Sequence, residues 1–421
     1  MELENRLSEL PPAVLPRALC ALLEARIAQG DRTGASAIAL QQRRILEKSP
    51  QGATLLTLLG VELPQSVWLP GGRPNLLASS QAIETGSLSA SDLCAALWRR
   101  PWRWQRHPEL YLLAFNALRR SDVARAERFL NRFLRVHGLP RCELRPKDPF
   151  FSGLIFDRGR RIHRGPSVSV AMAVRNAATT VRYAVDSLLA QTYEPLEILI
   201  ADDASSDDTL DILRREYLNR SNVRVFRSER PQGPYNLRNA LFAQARGTLL
   251  AVHDADDLAL PTRLELQVAK LRLGRVGACI ANWVRFRPDG AAVFFRDQRA
   301  VRLSLVSLLM ERQVFERFGP FRTARFGADL EFYEDLRAKL PPSAIARVRT
   351  PLLFGLWSPS SLTRSPNAEA LEDGYRSEAR RAYAEAVFHK RQRNLTSTEI
   401  EEVLRRTENY VEPCPVVEVV R

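Results

Sequence analysis

LEILIADDASSDDT (196–209) is the stretch that decides the fold of this chain, because its apolar run ends abruptly in acidic residues. The apolar residues that follow, Leu210, Leu213 and Tyr217, have the spacing of one helix face. The same order of apolar run and helical segment recurs at SVSVAMAV (167–174), VRVFR (223–227) and TLLAVH (248–253). Strands that alternate with helices of about ten to twelve residues predict parallel βαβ units, and thus an α/β domain.

Acidic residues follow two neighbouring strands of this predicted sheet. Asp202 and Asp203 come directly after one strand, and Asp254 and Asp256 follow another. Ligands of α/β proteins bind where the carboxyl ends of parallel strands meet. A helix cap explains one acidic residue of the 207–208 pair, whereas two carboxylates two positions apart after an apolar strand suit a hard divalent cation. We predict Mg²⁺ or Mn²⁺ bound by Asp254 and Asp256, with coordination positions left for a substrate phosphate.

The glycine loops that bind phosphate in other α/β proteins are missing from this chain. It has neither GxxxxGK[ST] nor a GxGxxG after the first strand, which argues against a Walker-type ATPase and a Rossmann dehydrogenase. A cation beside phosphate without a glycine cradle indicates that the metal neutralises a diphosphate leaving group.

Three segments carry a family pattern in their order along the chain. They are SVSVAMAVRNAATTVRYAVDSLLAQTYEPLEILIADDASSDDT, GPYNLRNALFAQARGTLLAVHDADDLALPTRLELQ and RFGADLEFYEDL. Residues 167–365, which contain them, resemble the catalytic domain of family 2 glycosyltransferases. The resemblance implies a GT-A fold with a Rossmann-like, mostly parallel sheet and flanking helices. It also implies a nucleotide-sugar donor and an inverting transfer.

The resemblance assigns roles to the donor side of the site. Asp202 and Asp203 read the nucleotide base in this pattern, with Asp203 as the closer contact. Asp254 faces the ribose, and Asp256 faces the metal and the diphosphate. The other donor-binding positions that it implies are Ala173, Arg175, Asn176, Arg238 and Ala255.

The acceptor side is implied in the same way. The catalytic base falls on Asp329 in GADLEF, with Glu331 as its rival. Trp357 and Ser361 lie in a segment that resembles the loop closing over the active site in relatives. Trp357 is expected either to stack on a sugar face or to pack in the core.

The chain departs from the family pattern in two places. The first strand of the family ends in Pro-x-Tyr-Asn, whereas this chain has AVRN (173–176). The aromatic contact with the nucleotide is therefore lost, and Arg175 is expected to stack or to bind phosphate in its place. The QxxRW signature of membrane polysaccharide synthases is absent, which argues against a processive synthase.

The rest of the chain predicts three further parts. Residues 1–140 predict an all-helical domain, because apolar residues recur at helical spacing and no strand pattern competes. Stretches 19–40 and 110–130 indicate helical hairpins weakly like tetratricopeptide repeats. Residues 141–166, rich in Pro, Gly and Arg, predict a connector. Residues 366–421 predict helices and an end that is either a loose tail or an added edge strand.

The composition is that of a folded protein in a reducing compartment. Of 421 residues, 45% are hydrophobic and 26% charged, which excludes a disordered or collagen-like chain. Five scattered cysteines without CxxC spacing indicate neither a disulfide framework nor a zinc site. We expect a cytoplasmic protein, because no run of about 18 apolar residues occurs and the start does not have the pattern of a signal peptide.

The net charge of +14 arises from 57 Arg and 5 Lys against 48 acidic residues. This imbalance looks as much like coding bias as like selection for a polyanion. Arg158, Arg160, Arg161 and Arg164 in the connector nevertheless predict peripheral contact with anionic lipid at the inner face of the cell membrane. No zinc-finger spacing or RNP-type aromatic box is present, so we expect no nucleic-acid partner.

These patterns predict a glycosyltransferase that moves a sugar from a nucleotide-diphosphate sugar to a hydroxyl group of a glycan, a lipid-linked acceptor or a surface-polysaccharide precursor. The helical domain is expected to dock a protein partner. A nucleotidyltransferase that makes activated sugars is an alternative, but the glycine- and basic-rich signature it needs is not found. A non-catalytic helical-repeat interaction protein with a vestigial transferase domain is another, and the intact Asp254, Asp256 and Asp329 speak against it.

Overall fold

The structure is a computed structural model with two compact units. It describes residues 15–29, 31–46, 55, 74–98, 106–274, 277–295, 297–358, 377–393, 397–407, 409–411 and 418–420. The first unit, which we name the helical unit, takes residues 1–136, 291–300 and 372–374. The second, which we name the sheet unit, takes residues 137–290, 301–371 and 375–421.

The helical unit is built from α-helices in its described part. They are α1 (Leu15–Ala28), α2 (Arg32–Gln41), α3 (Arg43–Leu46), α4 (Leu76–Glu84), α5 (Ala90–Trp98), α6 (Glu109–Leu118) and α7 (Val123–Val136). Along α7 the buried residues recur three and four positions apart, so one apolar stripe faces the core. The prediction of N-terminal helices is confirmed, while their likeness to tetratricopeptide repeats stays a prediction.

The segment 291–300 belongs to the helical unit although its neighbours in sequence are strands of the sheet unit. Asn116 on α6 donates to the carbonyl of Ala292 and accepts from its N–H, both at 2.8 Å. Gln298 accepts from the backbone N–H of Leu77 at 3.0 Å. Because Asn116 and Ala292 lie 176 positions apart, the local periodicity of the sequence does not predict this pairing.

The sheet unit contains eleven strands in its described residues. They are β1 (Cys142–Leu144), β2 (Leu154–Phe156), β3 (Val168–Val174), β4 (Leu196–Asp203), β5 (Val223–Ser228), β6 (Leu249–Asp254), β7 (Asp257–Ala259), β8 (Ala278–Phe286), β9 (Val301–Glu311), β10 (Ile345–Leu356) and β11 (Glu418–Val419). β1 and β2 form a small sheet of their own. The other nine form one sheet in the order β11-β5-β4-β3-β6-β9-β8-β10-β7.

The large sheet is mixed, so the prediction of a mostly parallel sheet is wrong for its second half. β5, β4, β3 and β6 run parallel, but β9 is antiparallel to both β6 and β8. β10 is parallel to β8, and the edge strands β7 and β11 are antiparallel to their neighbours. No helix lies between β8 and β9 in the described residues, and a strand that returns without a crossover pairs antiparallel.

Helices flank this sheet. They are α8 (Val181–Leu189), α9 (Thr209–Tyr217), α10 (Gly233–Gln244), α11 (Arg263–Gly274), α12 (Arg312–Phe318), α13 (Ala328–Lys339), α14 (Glu378–Arg393) and α15 (Ser397–Arg406). β11 pairs with β5, so the chain end forms the predicted edge strand. In the part of the chain that the structure describes, no helix has the length and apolar character needed to cross a bilayer.

Strand register brings the acidic strand ends together. Val174 of β3 lies opposite Asp202 of β4, and Ala173 lies opposite Asp254 of β6. The carboxyl ends of β4 and β6 therefore lie on either side of β3, as the βαβ pattern predicts.

A fully buried arginine connects β6 to α11 close to the carboxyl end of β6. Arg263, at the start of α11, has no exposed surface and donates to the Val252 carbonyl at 2.7 Å and to His253 Nδ1 at 2.9 Å. Because arginine only donates, Nδ1 must be the accepting nitrogen of a neutral imidazole. Burial, and then the charge of Arg263, hold the pKa of His253 well below its ordinary value. β6 is thereby tied to α11 immediately before Asp254.

We expect Arg263→Met to lower the free energy of unfolding by about 2–4 kcal/mol, because it leaves the Val252 carbonyl and His253 Nδ1 buried without these donors. Urea denaturation followed by circular dichroism measures the change. Arg214→Met on α9 is the control, since Arg214 is exposed and pairs with Asp211 only at 3.7 Å; it should stay within about 0.5 kcal/mol of wild type. Equal stability of the two variants would contradict the role of Arg263.

Candidate active site

The centre of the site is an ion pair between α10 and the end of β6. Arg238 donates to Asp254 Oδ1, and the arginine side chain is only 4% exposed against 34% for the aspartate. Burial opposes the charge of Arg238, but Asp254, and after it Tyr235 and Asp329, raise its pKa. A buried guanidinium thus holds the first carboxylate of the Asp254-Ala255-Asp256 loop, while the other oxygen of Asp254 is not used by this pair.

The surroundings of Asp256 disfavour the charged form of its carboxylate. Burial, and then the neighbouring charge of Asp254, raise its pKa to about 6. In the described residues no three Asp, Glu, His or Cys side chains converge as a complete metal site. Two like-charged carboxylates on one loop fit a divalent cation whose other positions come from substrate oxygens and water. The donor set therefore suits Mg²⁺ or Mn²⁺.

The two aspartates at the end of β4, Asp202 and Asp203, have different hydrogen-bond partners. Both oxygens of Asp203 accept backbone N–H groups at the start of α10, from Gln232 at 2.6 Å and from Gly233 at 2.9 Å. Asp202 accepts from the Ser205 N–H at 3.1 Å through Oδ2. Its Oδ1 is buried and has no hydrogen-bond partner among the described residues. The open acceptor is therefore on Asp202, whereas Asp203 anchors α10.

The residues at the end of β3 differ from the family pattern. Asn176 adopts a positive φ of 49°, and its side-chain oxygen accepts from the Ser206 N–H at 2.9 Å. It thereby joins the loops that follow β3 and β4. Arg175 beside it is exposed. Burial raises the pKa of Asp203, and the charge of Arg175 is among the influences that lower it, so Arg175 lies near the acidic edge.

Asp329 on α13 reaches the same cluster through Tyr235. The Tyr235 hydroxyl donates to Asp329 Oδ1 at 2.8 Å, across 94 positions of sequence. Tyr235 also packs its ring 5.3 Å from the guanidinium carbon of Arg238. Asp329 is thus connected to Asp254 by way of Tyr235 and Arg238. The fold brings together two residues that the sequence could relate only by the family pattern.

Glu331, two positions after Asp329 on α13, is occupied by other partners. Arg322 donates to its two oxygens at 2.8 and 2.9 Å, and the Tyr383 hydroxyl donates at 2.6 Å. The side chain of Glu331 is 5% exposed. The hydrogen bond from Tyr383 joins α13 to α14, so Glu331 has a structural task, and Asp329 is the better placed of the two candidate bases.

The sequence-based set lacks two residues next to the acidic loop, Asp257 and Arg285. Asp257 is buried, and its Oδ1 accepts from the Leu356 N–H at 3.3 Å. Arg285 on β8 lies over the rings of Trp283 and Trp357. The only sequence signal for Arg285 is a charge inside the apolar strand ANWVRF (281–286). Trp357 is buried in this stack, whereas the predicted Ser361 lies outside the described residues.

The family match covers the region that builds this site. The model of glycosyl transferase family 2 matches residues 169–331, from β3 to Glu331 on α13. It therefore includes Asp202, Asp254, Asp256 and Asp329.

Individual relatives match over shorter stretches. The chondroitin synthase of Pasteurella multocida is 33% identical over 133 residues, which is 31% of this chain and 14% of that protein. WfaP of Escherichia coli, a UDP-Glc:α-D-GlcNAc-diphosphoundecaprenol β-1,3-glucosyltransferase, is 31% identical over 116 residues, 28% of this chain and 45% of its own. This chain therefore spans less than half of either relative. The solved mannosyltransferase PcManGT of Pyrobaculum calidifontis, in complex with GDP-Man and Mn²⁺, is 19% identical, with 71% of this chain and 80% of that chain covered and a TM-score of 0.40.

Asp256→Asn should stabilise the free protein. The Asp256 pKa of about 6 lies above the ordinary 3.8, so ionisation costs stability above about pH 6 and this cost disappears toward pH 4. We expect the melting temperature in EDTA to rise by roughly 2–4 °C at about pH 7.5, as about 1 kcal/mol gives in a domain of this size. The gain should shrink at about pH 4.5.

Differential scanning fluorimetry at the two pH values measures this change. Asp208→Asn, on the exposed start of α9, removes one acidic charge away from the cluster and should leave the melting temperature unchanged. A lower melting temperature for Asp256→Asn at the higher pH would show that the carboxylate stabilises the fold instead.

Proposed function

We propose that the protein transfers a sugar from a nucleotide-diphosphate sugar to an acceptor hydroxyl, because the model of glycosyl transferase family 2 matches residues 169–331. The observation that carries the proposal is the convergence of the Asp254-Ala255-Asp256 loop with Asp329 through Arg238 and Tyr235. A donor-binding acidic loop and a candidate base belong to one connected cluster.

The donor binds along the carboxyl ends of β3, β4 and β6. Asp202 Oδ1, buried and without a hydrogen-bond partner among the described residues, accepts an N–H of the nucleotide base; Asp203 takes the second place because it holds α10. Asp254 faces the ribose, and Asp256 holds the divalent cation. When bound, Mg²⁺ or Mn²⁺ neutralises the charge that grows on the departing diphosphate.

Asp329 activates the acceptor. As a carboxylate it takes the proton of the acceptor hydroxyl, whose oxygen attacks the anomeric carbon from the side opposite the diphosphate. A single displacement of this kind inverts the anomeric centre. Tyr235 orients the carboxylate by its 2.8 Å hydrogen bond, and the second oxygen of Asp329 is the one that faces the acceptor.

We propose a glycan, either lipid-linked or a polysaccharide precursor, as the acceptor class. WfaP, by its name, acts on a diphosphoundecaprenol-linked sugar, and the other relative makes chondroitin. A lipid-linked acceptor requires contact with a membrane surface. Arg158, Arg160 and Arg164 are exposed, and Arg158 lines a surface cavity of about 260 Å³ with Arg161 and Arg220. These arginines are our candidates for binding anionic headgroups.

Nucleoside-diphosphate binding should depend on the divalent cation and on Asp256. Without the cation, a diphosphate beside Asp254 and Asp256 is repelled by their charges. We expect UDP, GDP or dTDP, whichever binds best, to lose at least about tenfold in affinity when EDTA replaces Mn²⁺. Asp256→Asn should lose most of the metal effect and Asp208→Asn none. Calorimetric titration gives these affinities, and equal affinities with Mn²⁺ and EDTA would remove the metal from the proposal.

Asp329→Asn should separate binding from transfer. Asparagine keeps an oxygen for the Tyr235 hydroxyl but has no basicity, so we expect normal melting and donor affinity with turnover reduced by roughly 10²–10⁴-fold. Glu331→Gln should instead lower the melting temperature, because it breaks the buried pair with Arg322. Glu334→Gln, in a surface pair with Arg337 on the same helix, is the control. Turnover of Asp329→Asn within a few-fold of wild type would refute its role as base.

A further inference from the structure

The guanidinium of Arg285 lies against the rings of two tryptophans. Its guanidinium carbon lies 3.9 Å from the ring centre of Trp283 and 4.9 Å from that of Trp357. Nη1 donates to the Leu356 carbonyl at 3.3 Å. Tryptophan is the strongest aromatic partner for a cation, and a guanidinium stacked in this way retains its edge for planar hydrogen bonding. A long side chain with several rotatable bonds is thereby fixed at its charged end.

Strand register shows where that end lies. Arg285 of β8 is opposite Gly355 of β10, and Gly355 is opposite Asp257 of β7. Opposed residues share a face of the sheet, so Arg285 and Asp257 lie on the same face with a glycine between them. A Cβ at Gly355 would come within 2.8 Å of the Trp283 ring and 3.2 Å of Asp257 Oδ1. The glycine leaves room for the stack beside the acidic loop.

Arg285 interacts electrostatically with this loop but forms no ion pair with a described residue of it. Burial lowers the pKa of Arg285, and the charges of Asp257, Asp256 and Asp254 offset part of this effect. Arg238 differs, because it makes a direct ion pair with Asp254. Arg285 makes no ion pair within 4.0 Å among the described residues, and only one of its five N–H groups has an acceptor there, the Leu356 carbonyl.

We infer that Arg285 binds the diphosphate of the nucleotide-sugar donor and that Trp283 and Trp357 position it for this task. The inference rests on the proposed function. In the transfer, the acceptor proton goes to Asp329, the acceptor oxygen bonds to the anomeric carbon, and the bond from that carbon to the diphosphate oxygen breaks. Its electron pair stays on the diphosphate, where the N–H groups of Arg285 stabilise the added charge.

The comparison of nucleoside diphosphate with monophosphate tests this role in the 421-residue chain. A residue that binds the outer phosphate discriminates between the two ligands, whereas a purely structural arginine does not. With Mn²⁺ present, we expect Arg285→Gln to weaken UDP, GDP or dTDP by roughly 10–100-fold and the matching monophosphate by less than about threefold. Arg285→Lys keeps the charge but not the fork, and should fall between wild type and Arg285→Gln.

Variants of the aromatic stack test the positioning of Arg285. Trp357→Leu should weaken diphosphate binding by roughly 3–10-fold, and Trp357→Phe, which keeps a ring, should largely restore it. Arg302→Gln is the matched control, because Arg302 is exposed on β9 directly opposite Trp283. It removes one positive charge near the stack and should leave both ligands unaffected.

The outcomes distinguish a failure of this inference from a failure of the proposed function. Wild-type protein that binds no nucleoside diphosphate with Mn²⁺ overturns the proposed function and this inference together. Metal-dependent binding by the wild type, with Arg285→Gln unchanged or equally weakened for both ligands, overturns the inference alone. If Arg285→Gln does not fold, Arg285→Lys and Trp357→Leu are measured in its place. The inference is rejected if both of these variants have the same ratio of diphosphate to monophosphate affinity as the wild type.

Discussion

The pairing of buried Arg238 with Asp254 is the interaction on which the site depends. Asp254, Asp256 and Asp257 lie within four positions, and burial, followed by the charges of the neighbouring carboxylates, raises the pKa of Asp256 and of Asp257. Arg238 offsets this repulsion from the side of α10, which Asp203 anchors to the end of β4. The Tyr235 ring then links Arg238 to Asp329. The helix α10 thus supplies the charge that compensates the acidic loop, and its own position depends on Asp203.

The sequence was sufficient for those features that local patterns encode. Alternating apolar runs and helical segments predicted β3 to β6, and the acidic residues at their ends predicted the loop of Asp254 and Asp256. Both follow from short-range spacing. The family pattern added Asp329, which no local signal relates to Asp254, and the structure supplies the path between them through Tyr235.

Other features depend on long-range pairing that the sequence does not express. The mixed half of the sheet follows from the direct return of β9 along β8. The division of labour between Asp202 and Asp203 follows from two backbone N–H groups at the start of α10. The position of Arg285 follows from the register of β8, β10 and β7, which places it across Gly355 from Asp257. An arginine inside a strand has many structural explanations until its neighbours are known.

The membership of segment 291–300 in the helical unit has a practical consequence for dissecting the protein. A recombinant fragment that begins at residue 137 would retain this segment but lack Asn116 and Leu77, which bind Ala292 and Gln298. Val293, Phe294 and Phe295 are buried in the intact chain, and removal of the helices would expose these apolar side chains to solvent. Such truncations invite self-association. Excision of the sheet unit therefore calls for shortening the β8–β9 connection as well as cutting the chain at the unit boundary.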